Sequence, residues 1–219
     1  MDVENLLSTA SEEDLVKLRQ ALKPKSKYQK KGVYREKENK VRFFNPDEFE
    51  KFIYAVSPKW RNYYWFLMLT GLRYKEAKNV KVGDIDFANK QIIILKPKGG
   101  VQRYCHLSSY GVKLIRQWKM SENLKEKDMF SFPTIQHLIQ LMKRVCKDQG
   151  IKDYPDFSVH NLRKTHENYL LALGKDEMKL TRHMGHTPKT AQQHYLSSAF
   201  IKDKSQLDKI RTWLGDIFE

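Results

Sequence analysis

Apolar residues along the chain recur mostly at helical spacing, with one interruption. Leu15, Leu18 and Leu22 share a helical face, opened by Ser11-Glu12-Glu13-Asp14 and stopped by Pro24. In 45-NPDEFEKFIYAV-56, Asn45 predicts an N-cap and Pro46 the first helical position. Phe49, Phe52, Ile53 and Val56 then repeat at i, i+3, i+4 and i+7. The next stretch, 60-WRNYYWFLMLTG-71, is apolar on most faces, the pattern of a central buried helix closed by Gly71. Residues 72–80 predict a short helix. The period then changes. Ile92 to Leu95 is β-prone, Lys98-Gly99-Gly100 is a turn, and Val101 to Leu107 predicts a second strand of a small antiparallel sheet. Helical spacing returns over 109–121, 134–149 and 160–173. Short helices are expected near 176–183 and 188–196, and a last one over 203–217, with Leu207, Ile210, Leu214 and Ile217 on one face. The fold class expected is α+β, mainly α-helical. Residues 41–219 form the main domain, preceded by an appendage of residues 1–40.

Charge adds a partner to this picture. The 219 residues carry 41 Lys plus Arg against 26 Asp plus Glu, a net charge of +15. A chain this basic repels itself unless it meets a polyanion, and phosphate backbone is the usual one. The plain alternative is a solubilising Lys/Glu surface. The excess concentrates in 23-KPKSKYQKKGVYREKENKVR-42, with nine basic and two acidic residues. There Lys23, Lys25, Lys27, Lys30, Lys31 and Arg35 read as an arm able to lie along DNA. No apolar run is long enough to span a membrane, and the acidic N-terminus lacks the apolar region of a signal peptide. Cys105 and Cys146 form no CxxC, so neither a disulfide framework nor a cysteine metal site is expected, and the cytoplasm is the expected compartment.

Four separated segments carry the candidate chemistry: 70-TGLRYKEA-77, 96-KPKGGVQRYCHL-107, 160-HNLRKTH-166 and 184-MGHTPKTAQQHY-195. Together they resemble the tyrosine recombinase (phage integrase) family. Its catalytic domain has an Arg in TGLRxxE, a Lys in a β-hairpin turn, HxLR, LGH, and a nucleophilic Tyr nine residues after that His. Here Arg73 and Glu76 stand in TGLRYKE, Lys98 in the turn, His160 and Arg163 in HNLR, His186 in MGH, and Tyr195 nine residues on. Each motif alone is weak; five in order, from residue 41 to the chain end, are specific. The resemblance implies the tyrosine-recombinase catalytic-domain fold and site-specific DNA strand exchange. The partner would be double-stranded DNA, with a dimer or tetramer forming on it and no cofactor.

The chemistry accounts for these residue types. A tyrosine hydroxyl can attack a phosphodiester and leave a reversible phosphate ester. Negative charge then gathers on the non-bridging oxygens, and the planar forks of Arg73 and Arg163 match them. The resemblance implies that Lys98 protonates the leaving 5′ oxygen and that His160 takes or orients the tyrosine proton. His186 would hydrogen-bond the phosphate, and Glu76 would buttress the arginines. Lys96, in the preceding strand, competes with Lys98, which the turn position favours. Tyr169, amid leucines, reads as core rather than nucleophile; Met178, Leu180 and Met184 read as packing. His183, His186 and His194 invite a metal reading, but 166-HENYL-170 lacks the second histidine of HExxH and no carboxylate or cysteine stands at ligand spacing, so no metal is expected.

Family members carry an N-terminal core-binding domain, whereas only about forty residues precede this domain, so a truncated or compact member that uses its basic arm is expected. The last helix is expected either on its own core or on a neighbouring protomer. Two other readings share features with the main one: a type IB topoisomerase-like relaxase, and a non-catalytic DNA-binding protein derived from an integrase.

Overall fold

The computed structural model describes residues 42–95, 102–186, 201 and 203–219, all within one unit, Val41–Glu219. The first expected helix, the basic arm, the hairpin turn with Lys96 and Lys98, and the segment holding Tyr195 lie outside the described residues.

Helix α1 (Pro46–Ala55) opens with a capping box: the Asn45 side chain accepts from the Glu48 amide, and Glu48 accepts from the Asn45 amide. Its apolar face enters an aromatic cluster, with Phe44 and Phe157 centroids 4.2 Å apart and Phe44 and Phe52 5.1 Å apart. Helix α2 (Pro58–Thr70) is buried on every side from Tyr64 to Thr70, as its pattern predicts. It ends at Gly71, whose φ of +61° places it in the left-handed region. Helix α3 (Tyr74–Lys78) follows at once, with Arg73 as its N-cap residue.

Strands β1 (Ile85–Asp86), β2 (Gln91–Ile94) and β3 (Arg103–His106) form an antiparallel sheet in the order β1-β2-β3. Ile92 pairs with Cys105 and Ile94 with Arg103. Since alternate residues share a face, Arg103 and Cys105 both point inward, and Cys105 is fully buried. Strand β2 starts and ends one residue earlier than its apolar run, so Leu95 lies beyond it and is exposed, and β3 stops one residue before Leu107.

Helices α4 (Ser109–Ser121), α5 (Ile135–Asp148), α6 (Val159–Ala172) and α7 (Glu177–Met184) follow. Ser108, Thr134 and Asp176 cap α4, α5 and α7 by accepting amide N–H bonds. Tyr169, Leu180 and Met184 are buried as expected, but Met178 is exposed: one residue into α7, it falls on the outer face. Helix α8 (Lys204–Leu214) packs on the chain's own core. Ile210, Trp213, Leu214 and Ile217 are buried in the chain's own core, where Trp213 stacks 6.1 Å from Tyr169 and its carbonyl accepts from Ser108 Oγ. Lys209 pairs with Asp47 and Glu50 of α1.

Candidate active site

Arg73, Glu76, Arg163 and His186 converge on the C-terminal end of α7. A helix leaves its last carbonyls without intrahelical partners and carries partial negative charge there. Three consecutive carbonyls at this end each accept from a different arginine. Arg103 Nε donates to His183 O at 3.1 Å, Arg163 Nη2 to Met184 O at 2.5 Å, and Arg73 Nη2 to Gly185 O at 3.3 Å. The arginines come from β3, α6 and the start of α3, so one helix end gathers three remote parts of the chain. Gly185, at φ +63°, turns the backbone out of α7, and a Cβ there would sit 3.0 Å from the Arg103 side chain.

Glu76 ties two of these arginines together. Its Oε1 accepts from Arg73 Nη1 at 3.0 Å and from Arg103 Nη1 at 3.1 Å, while its Oε2 accepts from Arg103 Nη2 at 2.8 Å and from the Arg73 amide at 3.0 Å. Burial alone would raise the Glu76 pKa, but the Arg103 and Arg73 hydrogen bonds and charges overcome it and hold it at about 2. Arg163 is only 2% exposed, and its Nη1 donates to Gly71 O at 2.7 Å. Burial, then the charge of Arg73, lowers its pKa to about 10, leaving it cationic near neutrality. Each terminal nitrogen of Arg163 keeps a second N–H beyond its carbonyl.

His186 follows Gly185, and its Nδ1 lies 3.1 Å from Glu167 Oε1, both side chains being buried. His160 is exposed on the first turn of α6, one turn before Arg163, which faces inward. Arg73, Arg163 and His186 thus sit at one place but at different depths, and His160 lies one turn along α6 from Arg163. Among the described residues here, the three guanidiniums stand against the two carboxylates of Glu76 and Glu167, an excess of positive charge that suits an anionic group. Beside them, a cavity of about 710 Å³ is lined in part by Arg103, Lys179, Arg182 and His186.

The sequence reading missed Arg103 and Glu167. Arg103 could have been found from strand alternation, which places it on the same face as Cys105. Glu167 was passed over as part of an incomplete HExxH. The metal reading of His183 is displaced by its contacts: Nδ1 accepts from the His106 amide at 3.0 Å and Nε2 lies 2.9 Å from His166 Nε2. Among the described residues no group of three or more His, Cys, Asp or Glu is arranged to hold a metal ion, and no helix is long and apolar enough to cross a membrane. Lys98, Tyr195 and the arm residues Lys23, Lys25, Lys27, Lys30, Lys31 and Arg35 fall outside the described residues.

The pattern of the phage integrase family matches residues 42–201, most of the chain and all the described site. The chain belongs to the phage integrase family. It is 24% identical over 208 residues to the ICEBs1 integrase of Bacillus subtilis (strain 168), covering 78% of this chain and 54% of that protein. It is 27% identical over 163 residues to tyrosine recombinase XerA of Thermococcus onnurineus (strain NA1), covering 68% of this chain and 55% of that one. The chain therefore spans about half the length of these two integrase-family relatives. The crystal structure of XerA recombinase matches with a TM-score of 0.59 at 21% identity, over 78% of this chain and 62% of that one. The Tn1549 transposon integrase, in complex with transposon right end DNA, matches with a TM-score of 0.59 at 18% identity, over 73% and 64% of the two chains. The mainly helical fold with a small antiparallel sheet is thus the catalytic-domain architecture of tyrosine recombinases.

Proposed function

We propose that this chain is the catalytic domain of a site-specific DNA recombinase, which integrates or excises a mobile element through a covalent 3′-phosphotyrosine intermediate. The observation that carries this reading is the convergence of Arg73, Arg163 and His186 at the end of α7, nine residues before Tyr195. Simple DNA binding does not require two anchored guanidiniums next to a histidine and a following tyrosine.

In this reading the Tyr195 oxygen attacks the scissile phosphorus as its proton passes toward His160. The bond to the 5′ oxygen breaks, and Lys98 supplies that oxygen with a proton. The tyrosine is left esterified to the 3′ phosphate. A 5′ hydroxyl from the partner strand then attacks the same phosphorus, and the tyrosine departs with its proton restored. Arg73 and Arg163 hold the non-bridging oxygens while charge is greatest there, and His186 donates to the same group. Glu76 positions Arg73. Double-stranded DNA is the partner, bound in part through Lys23, Lys25, Lys27, Lys30, Lys31 and Arg35, and two or four copies assemble on paired sites.

The test is a suicide DNA substrate nicked near the cleavage point, drawn from the element's attachment region or a random-site pool, incubated with EDTA. A protein–DNA adduct on a denaturing gel with wild type but not with Tyr195→Phe, at equal DNA affinity, is expected. An adduct with Tyr195→Phe would refute the nucleophile. Tight binding without any adduct would favour a DNA-binding protein that has lost its reaction, and adduct formation without Holliday junctions between two sites would favour a relaxase.

A further inference from the structure

His166 and His183 are buried and face each other across α6 and α7, with ring centroids 5.0 Å apart and nearly parallel planes. Their hydrogen bonds admit one arrangement of protons. The His106 amide can only donate, so His183 Nδ1 accepts from it at 3.0 Å. The neutral His183 ring then carries its proton on Nε2 and donates to His166 Nε2 at 2.9 Å. His166 in turn carries its proton on Nδ1 and donates to Met68 O at 2.8 Å. A proton added to either ring sets two donors against each other.

This chain of bonds joins α2, α6, α7 and β3. Met68 lies in α2, which leads through Gly71 to Arg73; His166 lies one turn after Arg163 on α6. His183 lies three residues before His186, and His106 ends β3, the strand that carries Arg103. The His166 ring also packs on Gly71, where a Cβ would lie 2.5 Å from Cδ2. Resting on the recombinase reading, we propose that His166 and His183 are positioning residues: as a neutral pair between Met68 O and the His106 amide, they set the spacing of α2, α6, α7 and β3, which carry or lead to Arg73, Arg163, His186 and Arg103. Burial keeps both rings neutral, reinforced for His183 by His166, His106, Arg163 and Arg103; for His166 the Met68 bond and Glu167 act in the opposite sense, and Arg163 in the same one.

The test compares wild type, His166→Leu, His166→Gln and the double variant His166→Phe/His183→Leu. The readouts are single-turnover adduct formation on suicide DNA, DNA affinity, and circular dichroism to confirm folding. The leucine and double variants are expected to keep DNA affinity and lose about tenfold or more in adduct rate, as misplacement of reacting groups does. His166→Gln, whose amide oxygen can accept from His183 Nε2, is expected to retain most of the rate. A folded double variant with wild-type adduct rate would overturn the proposal. Should the apolar variants not fold, His183→Asn, which keeps an acceptor for the His106 amide and drops the contact to His166, takes their place, with the same loss expected and an unchanged rate overturning the proposal. Imidazole ¹⁵N NMR of wild type at neutral pH decides the pairing independently of the reaction. Protons on His166 Nδ1 and His183 Nε2 are expected; the opposite tautomers or an imidazolium would overturn it. A wild type without any adduct would instead count against the recombinase reading, with the NMR result still judging the pair.

Discussion

Arg103 grips Glu76 with both terminal nitrogens, Nη1 on Oε1 at 3.1 Å and Nη2 on Oε2 at 2.8 Å, while Arg73 holds Oε1 from another side at 3.0 Å. One buried carboxylate thereby fixes two cations that would otherwise repel. It also joins β3 to the start of α3, so Arg103 and the first motif arginine share one anchor.

Glu76→Gln is expected to weaken both contacts and to leave two close guanidiniums poorly compensated. Because the folded pKa of about 2 lies below the ordinary 4.5, the stabilisation from Glu76 is complete above about pH 4.5 and is lost as pH falls toward 2. Its size is on the order of 3 kcal/mol. Denaturant melts of wild type and Glu76→Gln across that window measure it; parallel pH profiles would refute the coupling.

Arg163→Lys keeps the charge and loses the fork. A single ammonium cannot reach both Gly71 O and Met184 O and still face a phosphate in the same plane. Adduct formation on a suicide substrate should fall by on the order of a thousandfold or more, with DNA affinity little changed, because the charge Arg163 meets peaks in the transition state. A loss of affinity equal to the loss of rate would show that Arg163 acts in ground-state binding.

Gly71→Ala strains a left-handed residue and drives a Cβ to 2.5 Å from His166 Cδ2. A destabilisation of roughly 1–3 kcal/mol is expected from the backbone alone, with more from the displaced ring. Thermal melts give the stability loss, and histidine NMR gives the ring movement. An alanine variant as stable as wild type would mean the α2–α6 contact yields easily.

Acid should also act through the histidine pair. His166 is held at about 4 against an ordinary 6.5, first by burial, so the unfolded chain binds its proton earlier than the folded one. Stability therefore falls as pH drops from about 6.5 toward 4, and His166→Gln should flatten that limb. Melting temperatures of the two proteins at matched ionic strength check this.

Removing residues 1–40 deletes Lys23, Lys25, Lys27, Lys30, Lys31 and Arg35. If all six meet phosphates, the slope of log affinity against log salt should fall by up to roughly 5. Binding isotherms at several salt concentrations, with and without these residues, measure the change; an unchanged slope would remove the arm from the DNA contact.

Taken by itself, the sequence determined the helices of the described residues, because apolar spacing, the Asn45 cap and the glycine stops act over a few residues, and local physics is written locally. It also determined the family and the motif residues, since Arg73, Glu76, His160, Arg163 and His186 stand at recognisable spacings. Only the tertiary structure decided which of them touch. Glu76 and Arg103 lie 27 positions apart, Arg163 and Met184 lie 21 apart, and Gly71 and Arg163 lie 92 apart. Each pair is set by how α2, α6, α7 and β3 pack, and hydrophobic periodicity tells which face is buried but not which buried neighbour it meets. Arg103 and the His166–His183 pair escaped for the same reason: a polar side chain is tolerated in a core only beside its partner, and that partner is supplied by a remote part of the chain.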